Sequence, residues 1–259
     1  MDDMTGLSLR QAEIVRRLAE HGFVSTTELS QSLEVSDMTI RRDTRELARR
    51  GALRLVHGGA TLPHGRLHTA GFAHRAREDS EAKQRIALRC QQLISNRETV
   101  VIDAGTTIYE VAHRLPSDFA GTIITHSAPV IQHALQLESA RTIGLGGELI
   151  LDSQAFIGAL TVAALKGLRA QTAFIGVAAV RPDGLYIDRD LELPTKRALI
   201  DSAERIIVAA THSKMNKSAT VRLMDFSRVD VMVTDAGVPE DIGAALSAAN
   251  VDVVITEVE

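Results

Sequence analysis

The sequence predicts two structural units, a small N-terminal domain built mainly of helices and a larger α/β domain with a mainly parallel sheet. The length of 259 residues exceeds the ~150 residues expected of one domain. From residue 99 onward, short β-branched apolar runs alternate with helical patterns, which is typical of α/β folds. We place the domains at 1–60 and 81–259, with a linker at 61–80.

The composition is that of a globular protein with a substantial core, because 45% of the residues are hydrophobic and 24% are charged. One cysteine, Cys90, excludes a disulfide framework, and its place in a predicted helix indicates a core residue rather than a nucleophile. No apolar run approaches the ~18 residues of a membrane span, and the N-terminus does not resemble a signal peptide. We therefore expect a cytoplasmic protein without a membrane partner.

Three helices are predicted in the first fifty residues. Leu9–Glu20 has helical spacing of its apolar residues and is followed by Gly22. Ser25 stands three positions before Glu28, which is the spacing of a capping box that starts a short second helix. The third helix begins after Ser36 and ends at Gly51, because serine is a good N-cap and glycine a good C-terminal residue.

The third helix opens a strongly basic segment in a chain of net charge −4. Between Arg41 and His57 there are six arginines against two acidic residues. Such a run can be a solvated helix face, but a basic helix after a tight turn is also typical of a helix-turn-helix, whose second helix enters the major groove. Asp43 is expected to hold an arginine in place. The candidate DNA-binding residues are Ser36, Met38, Thr39, Arg41, Arg42, Arg45 and His57.

A small wing is predicted after the third helix, with a strand at Leu53–Val56 and a turn at His57–Ala60. Three strings in this region, Phe23–Thr26 (FVST), Thr39–Asp43 (TIRRD) and Arg54–Ala60 (RLVHGGA), resemble the DeoR family of bacterial transcriptional regulators. The resemblance implies a winged helix-turn-helix that binds double-stranded operator DNA.

The predicted linker contains Pro63, Gly65 and Gly71 and has little periodicity. His64 and His68 have a spacing that suits two metal ligands on a helix, but Pro63 and Gly65 argue against a helix there. We therefore predict no metal site, and no segment of the chain indicates a cofactor.

Seven strands are predicted in the C-terminal domain. Sheets of this kind bind ligands beyond the carboxyl ends of their strands, so the loops that follow the strands are the candidate binding region. The predicted strands are Thr99–Ile102, Thr122–Ile124, Arg141–Leu145, Thr172–Val177, Arg205–Ala209, Val229–Val233 and Val251–Ile255.

The loop after the first of these strands has the outline of a phosphate cradle. Gly105 permits close backbone approach, Thr106 and Thr107 supply hydroxyls, and a helix follows whose amides point at the same place. Glycine and threonine also make ordinary caps, so this string alone is weak. Two further loops converge on the same sheet edge. The candidate effector-binding residues in the three loops are Asp103, Gly105, Thr106, Thr107, Thr125, His126, Ser127, Gly146, Gly147 and Glu148.

These loops also resemble the sensor domain of the DeoR family, which is similar in fold to ribose-5-phosphate isomerase. The resemblance continues through the segments that contain Lys196 and Lys214, which are candidate anion partners or, alternatively, solvated surface residues. Two residues depart from the family pattern: His126 stands where Asn is usual, and Thr211 stands where Asp is usual.

The resemblance implies a transcriptional regulator, most often a repressor of a sugar or polyol catabolic operon. A phosphorylated sugar or polyol would release it from the operator, and the protein would be a homodimer or homotetramer. One alternative is a sugar-phosphate isomerase-like enzyme with Asp103, Glu192 and Lys196 in acid-base roles. Another is an activator, or a constitutive DNA-binding protein with an altered sensor. An attached DNA-binding domain favours a sensor over an enzyme, so no catalytic residue is predicted.

Overall fold

The structure is a computed structural model that describes residues 8–21, 23–56, 58–61 and 67–256. The chain divides into two compact units, Met1–Arg77 with Leu151–Ser153, and Glu78–Ile150 with Gln154–Glu259. Within the described ranges, the helices are all too short or too polar to cross a membrane.

The N-terminal unit contains the three predicted helices. The side chain of Ser25 accepts a hydrogen bond from the Glu28 amide, and that of Ser36 accepts one from the Thr39 amide, so both predicted N-caps are confirmed. The elements of the unit are α1 (Leu9–His21), β1 (Phe23–Ser25), α2 (Thr26–Ser32), α3 (Asp37–Arg49), β2 (Arg54–Val56), β3 (Gly59–Thr61) and α4 (Leu67–Arg77).

A compact apolar core holds these helices together. Ile14 and Leu18 of α1, Leu29 of α2, and Ile40 and Leu47 of α3 are almost completely buried against one another. The strands form an antiparallel sheet in the order β1-β3-β2. β2 is the strand of the predicted wing, whereas Gly59 and Ala60, which were predicted in its turn, lie in β3. The helix-turn-helix prediction is therefore confirmed.

Helix α4 lies inside the segment 61–80, which was expected to be a linker with little regular structure. The helix packs on its own unit: Phe72 is buried, and the ring of His74 meets the ring of Phe23 edge-on at 5.6 Å. This packing was not visible in the sequence, because the helix has no continuous apolar stripe and its stability comes from tertiary contacts. His64 lies outside the described residues.

The C-terminal unit alternates strands with helices. Its helices are α5 (Ser80–Gln91), α6 (Thr106–His113), α7 (Ala128–Ala134), α8 (Ala159–Leu165), α9 (Leu193–Asp201) and α10 (Glu240–Ala248). Short 3-10 helices span Asp190–Glu192, His212–Lys214 and Phe226–Arg228. Its strands are β4 (Thr99–Ile102), β5 (Thr122–Thr125), β6 (Arg141–Gly144), β7 (Glu148–Ile150), β8 (Ala155–Ile157), β9 (Ala170–Gly176), β10 (Ala179–Arg181), β11 (Gly184–Ile187), β12 (Ala203–Ala209), β13 (Val221–Met224), β14 (Val231–Thr234) and β15 (Asp252–Ile255).

A seven-stranded parallel sheet in the order β15-β14-β12-β9-β4-β5-β6 forms the centre of this unit. These are the seven predicted strands, with ends that differ by at most two residues. The α/β prediction is therefore confirmed. Sequence analysis missed β7, β8, β10, β11 and β13, which are three- or four-residue strands in small antiparallel sheets.

Successive residues of the central strands point to opposite faces of the sheet, and each face is covered by helices. Val100 and Ile102 pack in one core with α5, α6 and α7, whereas Val101 packs in another with α8, α9 and α10. Cys90 lies in the first core, and burial raises the pKa of its thiol to about 12, which agrees with its assignment as a core residue.

Candidate functional site

The carboxyl ends of the parallel strands bring the predicted effector loops to one edge of the sheet. Asp103 follows β4, His126 follows β5, and Thr211 follows the β12 strand two positions from β4. Because all seven strands are parallel, these loops open at the same edge. The arrangement gives the sheet edge a cluster of buried polar groups.

Asp103 is the centre of this cluster and is completely buried. Its Oδ2 accepts hydrogen bonds from the ammonium group of Lys196 and, at 2.9 Å, from the Gly176 amide. Its Oδ1 lies 3.0 Å from Nε2 of His126. Lys196 also donates to the Gly176 carbonyl oxygen at 2.9 Å. Asp103, in the loop after β4, and Lys196, in α9, were proposed from separate segments and are thus brought into direct contact.

The charge state of Asp103 follows from these partners. Burial raises the pKa of the carboxyl, but the Lys196 ammonium and the hydrogen bond with His126 outweigh it and hold the pKa at about 2. The carboxylate therefore stays ionised at neutral pH.

The ring of His126 is engaged on both nitrogens and is only 2% exposed. Nδ1 lies 2.9 Å from the Phe156 carbonyl oxygen, which can only accept, so Nδ1 is the donor. Nε2 lies within hydrogen-bond distance of the Asp103 carboxylate and of the Ala104 amide, which is 3.1 Å away. The ring ties the loops after β4 and β5 to β8, and an effector would have to displace one of these partners to bind it.

The loop from Asp103 to Thr107 leads from β4 into α6. Gly105 begins α6 with φ of +128°, a conformation that L side chains rarely adopt, and a Cβ there would meet no atom within 4 Å. Thr106 is buried and Thr107 is half-buried at the first turn of α6.

Thr125 and Ser127 have structural partners at this edge. The hydroxyl of Thr125 donates to the Ile102 carbonyl oxygen at 2.7 Å and accepts from the Ser127 amide at 3.1 Å. Ser127 caps α7 through the amide of Val130. Both side chains are completely buried and hold adjacent strand ends in register.

The remaining predicted effector residues lie at the same edge but on other strands. Gly146 and Gly147 follow β6, where the Gly146 carbonyl oxygen accepts from the Thr161 hydroxyl at 2.7 Å. Glu148 is exposed at the start of β7, and Lys214 is half-buried in the 3-10 helix after β12. Their role in binding stays a prediction.

Sequence analysis missed the backbone groups that complete the cluster, namely the Gly176 amide and carbonyl, the Ala104 amide and the Phe156 carbonyl. A glycine at the carboxyl end of a predicted central strand was the available signal for Gly176. Phe156 lies in an antiparallel strand that was not predicted, so its carbonyl carried no signal. In the described part of the chain, no group of three or more His, Cys, Asp and Glu side chains could hold a metal ion.

The predicted DNA-binding residues lie on one exposed face at the start and middle of α3. Met38 is 73% exposed in the first turn, beside Ser36 and Thr39, whose hydroxyls lie 2.9 Å apart. Arg41, Arg42 and Arg45 are exposed. Such a row of cations beside short polar and apolar side chains suits phosphate and base-edge contacts. His57 lies outside the described residues.

Asp43 holds an arginine, as expected, and that arginine is Arg10 of α1. The carboxylate is buried and the guanidinium is partly exposed. Arg10 lines an open cleft with Arg42, Arg45 and Arg49, and sequence analysis did not propose it because it is 33 positions from its partner. A second groove, between α3 and the wing, is lined by Arg41, Arg45 and Leu55.

Comparison with known proteins agrees with this geometry. Residues 10–66 match the model of the DeoR-like helix-turn-helix domain, and residues 78–236 match that of the DeoR C-terminal sensor domain. The chain is 34% identical to the glycerol-3-phosphate regulon repressor of Escherichia coli, over 92% of this chain and 94% of the relative. It is 35% identical to the repressor of the same name from Haemophilus influenzae, over 91% of each chain.

Among solved structures, ribose 5-phosphate isomerase A from Methanocaldococcus jannaschii aligns with 53% of this chain and 55% of its own. The TM-score is 0.39 and the identity is 15%, a level at which nothing follows about activity. The two family models and the full-length relatives, by contrast, cover both units. The chain therefore belongs to the DeoR family of DNA-binding transcriptional regulators.

Proposed function

We propose that this protein is a repressor of a sugar or polyol catabolic operon that leaves its operator when a phosphorylated sugar or polyol binds the C-terminal unit. The observation that carries the proposal is the buried Asp103–Lys196–His126 cluster, which lies beside the glycine-threonine loop at the carboxyl edge of the sheet. The glycerol-3-phosphate repressors that this chain resembles support the effector class.

The DNA-binding part of the proposal rests on α3 and the wing. The exposed arginines would contact phosphates, while Ser36, Met38 and Thr39 are placed to approach base edges. Helix-turn-helix proteins read two half-sites about one DNA turn apart, so we propose that the protein binds its operator as a homodimer or homotetramer.

The effector part rests on the open space at Gly105. A phosphate there would meet the amides at the start of α6 and the hydroxyls of Thr106 and Thr107. Lys214, on a neighbouring loop of the same edge, is the proposed cation for the phosphate. Lys196 is already bonded to Asp103 and is proposed to order the loop and to reach the effector's hydroxyl groups.

An isomerase-like role is less well supported by this geometry. The pKa of Asp103 is held at about 2 by its partners, so its carboxylate is a weak general base at neutral pH. The relatives that the chain resembles are regulators. We therefore propose a sensor without catalytic activity.

A thermal-shift screen tests the proposal. The full chain is heated with glycerol 3-phosphate, ribose 5-phosphate or fructose 6-phosphate, each beside its unphosphorylated parent, because a ligand of the native state raises the melting temperature. We expect at least one phosphorylated compound to raise it and its parent not to. The Thr106→Val/Thr107→Val variant is expected to lose the shift, whereas Thr142→Val, at an exposed position of β6, keeps it.

The outcomes separate the parts of the proposal. Equal shifts with a phosphate and its parent contradict a phosphate cradle. A shift that survives in Thr106→Val/Thr107→Val places the effector elsewhere. If no phosphorylated compound shifts a folded protein, the effector class is wrong.

A further inference from the structure

A hydrogen bond joins the candidate effector edge to the start of the C-terminal unit. The hydroxyl of Ser213 donates to Oδ2 of Asp79 at 2.5 Å. Ser213 is the middle residue of the 3-10 helix His212–Lys214 that follows β12, and Asp79 directly precedes α5. The two residues are 134 positions apart, so the bond depends on the fold.

The 3-10 helix is fastened on its other side as well. The His212 amide donates to the carboxylate of Asp235 at 2.6 Å, and His212 Nδ1 donates to the Gly237 carbonyl oxygen at 2.8 Å. These bonds hold the short helix on both sides. A displacement of the helix would therefore strain or break them, and the bond to Asp79 is one of them.

The bond has a defined direction. Ser213 gives its one hydroxyl proton to the carboxylate of Asp79, which can only accept. The hydroxyl of Thr211, 2.9 Å from that of Ser213, must then donate to it. Thr211 is buried two residues after the end of β12, so a chain of hydroxyls runs from the sheet edge to Asp79.

The backbone conformation of Asp79 is unusual for a residue that precedes a helix. It precedes α5 with φ of 51° and ψ of 34°, in the left-handed region, whereas N-cap residues are usually extended. Its carboxylate makes no hydrogen bond to the amides of α5 and is directed to Ser213 instead. The buried Lys83 donates to the carbonyl of the preceding residue, Glu78.

This backbone is where the first unit ends and the second begins, at Arg77 and Glu78. Among the described residues at this boundary, the Glu78 carbonyl oxygen accepts from the buried Lys83 and the Asp79 carboxylate accepts from Ser213, at the effector edge. Lys214, the proposed cation for the effector phosphate, is the immediate neighbour of Ser213.

We propose that Ser213 and Asp79 are positioning residues that couple the effector site to the DNA-binding unit. Their hydrogen bond fixes the connecting backbone in its operator-binding conformation, and an effector that engages Lys214 draws the 3-10 helix away and breaks the bond. This inference takes its effector from the proposed function. The effect of the Ser213–Asp79 bond on DNA binding does not depend on that effector.

The first half of the proposal, that the Ser213–Asp79 bond favours operator binding, can be tested without any effector. The probe is the duplex recovered from random DNA by selection with the wild-type full chain. We expect Ser213→Ala and Asp79→Ala each to weaken binding about threefold to tenfold, the range for net loss of one hydrogen bond. The double variant should be no weaker than the weaker single variant, because both changes remove the same bond.

A matched control is available in the same unit. The hydroxyl of Ser227 also donates to a carboxylate, that of Asp225, in the 3-10 helix Phe226–Arg228. Ser227→Ala removes an equivalent exposed bond away from the unit boundary and should bind the duplex as the wild type does.

Hydrogen exchange distinguishes a positioning role from a general loss of stability. The Lys83 amide donates to the Asp79 carbonyl oxygen at 2.9 Å, so it reports on the first turn of α5. Ser213→Ala should speed its exchange without changing that of the β4 and β9 amides. Any one of three results would overturn the inference. They are wild-type exchange at Lys83, unchanged operator affinity, and effects of the two single variants that multiply in the double variant.

The second half of the proposal, that an effector breaks this bond, is tested with glycerol 3-phosphate, or with whichever phosphorylated compound of the screen releases wild-type protein from the duplex. In Ser213→Ala the ratio of operator affinities without and with that compound should fall toward one, while the compound still raises the melting temperature. A ratio equal to that of the wild type contradicts the coupling. If no compound binds, the proposed effector class fails, and the operator and exchange measurements still decide whether Ser213 and Asp79 act together.

Discussion

Lys196 donates to the carboxylate of Asp103 across 93 positions of the sequence, and the two side chains are 7% and 0% exposed. A buried pair of this kind costs desolvation energy for both ions, so it contributes little net stability over an apolar pair of the same shape. Removing one partner is different, because the other charge is left buried and unpaired.

Lys196→Met should therefore lower the free energy of unfolding of the C-terminal unit by about 3–5 kcal/mol. The double variant Asp103→Asn/Lys196→Met should lose less than the sum of the two single variants, since it leaves no unpaired charge. Hydrogen exchange of the β4 and β9 amides in urea measures this free energy. Lys166→Met, at an exposed position, is the control and should change little; similar losses for Lys196→Met and Lys166→Met would contradict the role of the pair.

The same carboxylate gives stability a defined dependence on pH. The native pKa of Asp103 is about 2, below the ordinary 3.8, so between these values the unfolded chain binds more protons than the native one. Its contribution is complete above about pH 4 and is lost as the pH falls toward 2. We expect the urea midpoint to fall over this window and to fall less steeply in Asp103→Asn. An equally steep acid limb in the variant would show that other carboxyl groups carry the effect.

Much of the fold was predictable because its signals are local. Most strands of the central sheet are short apolar runs rich in β-branched residues, which is typical of parallel strands, and the N-caps Ser25 and Ser36 act within one helical turn. Asp103 was found because it follows such a strand. The missed antiparallel strands β7, β8, β10, β11 and β13 have only three or four residues and no run of β-branched residues.

The contacts of the site were not predictable from local signals. Nothing near Asp103 in the sequence indicates Lys196, and the Phe156 carbonyl that holds His126 belongs to a chain segment 30 positions away. His126 was expected to bind an effector; it is buried and has three internal partners, and its role in binding stays a prediction. Such assignments require the sheet order, which brings distant loops to one edge.

On the DNA-binding face, Arg41→Ala and Arg42→Ala should each weaken operator binding. Where the lost contact is to a phosphate, the slope of log affinity against log salt should become shallower by about one. Arg141, exposed on the edge strand β6, provides the control, and Arg141→Ala should leave both quantities unchanged. Titration of the selected duplex at several salt concentrations measures the slope. Wild-type affinity and slope in both α3 variants would remove these arginines from the interface.

At two glycines of the effector edge, replacement by alanine should destabilise the protein to different extents. At Gly147, φ is +150° and a Cβ would collide with the Ile157 carbonyl oxygen and the Thr161 hydroxyl, so Gly147→Ala adds a steric clash to the backbone strain. At Gly105, φ is +128° but the space is open, so Gly105→Ala costs only the strain, about 1–3 kcal/mol. Gly147→Ala should therefore lower the melting temperature more.

Ligand binding should follow the opposite order, because the Cβ of Gly105→Ala occupies the space proposed for the phosphate. We expect Gly105→Ala to abolish the thermal shift with glycerol 3-phosphate, or with the active compound of the screen, while operator binding is retained. Folded Gly147→Ala protein should keep a reduced shift, since the clash lies toward α8 rather than toward the cradle. A full shift in Gly105→Ala would mean that the phosphate does not approach this backbone, and the cradle would have to be sought among the loops after β5 and β12.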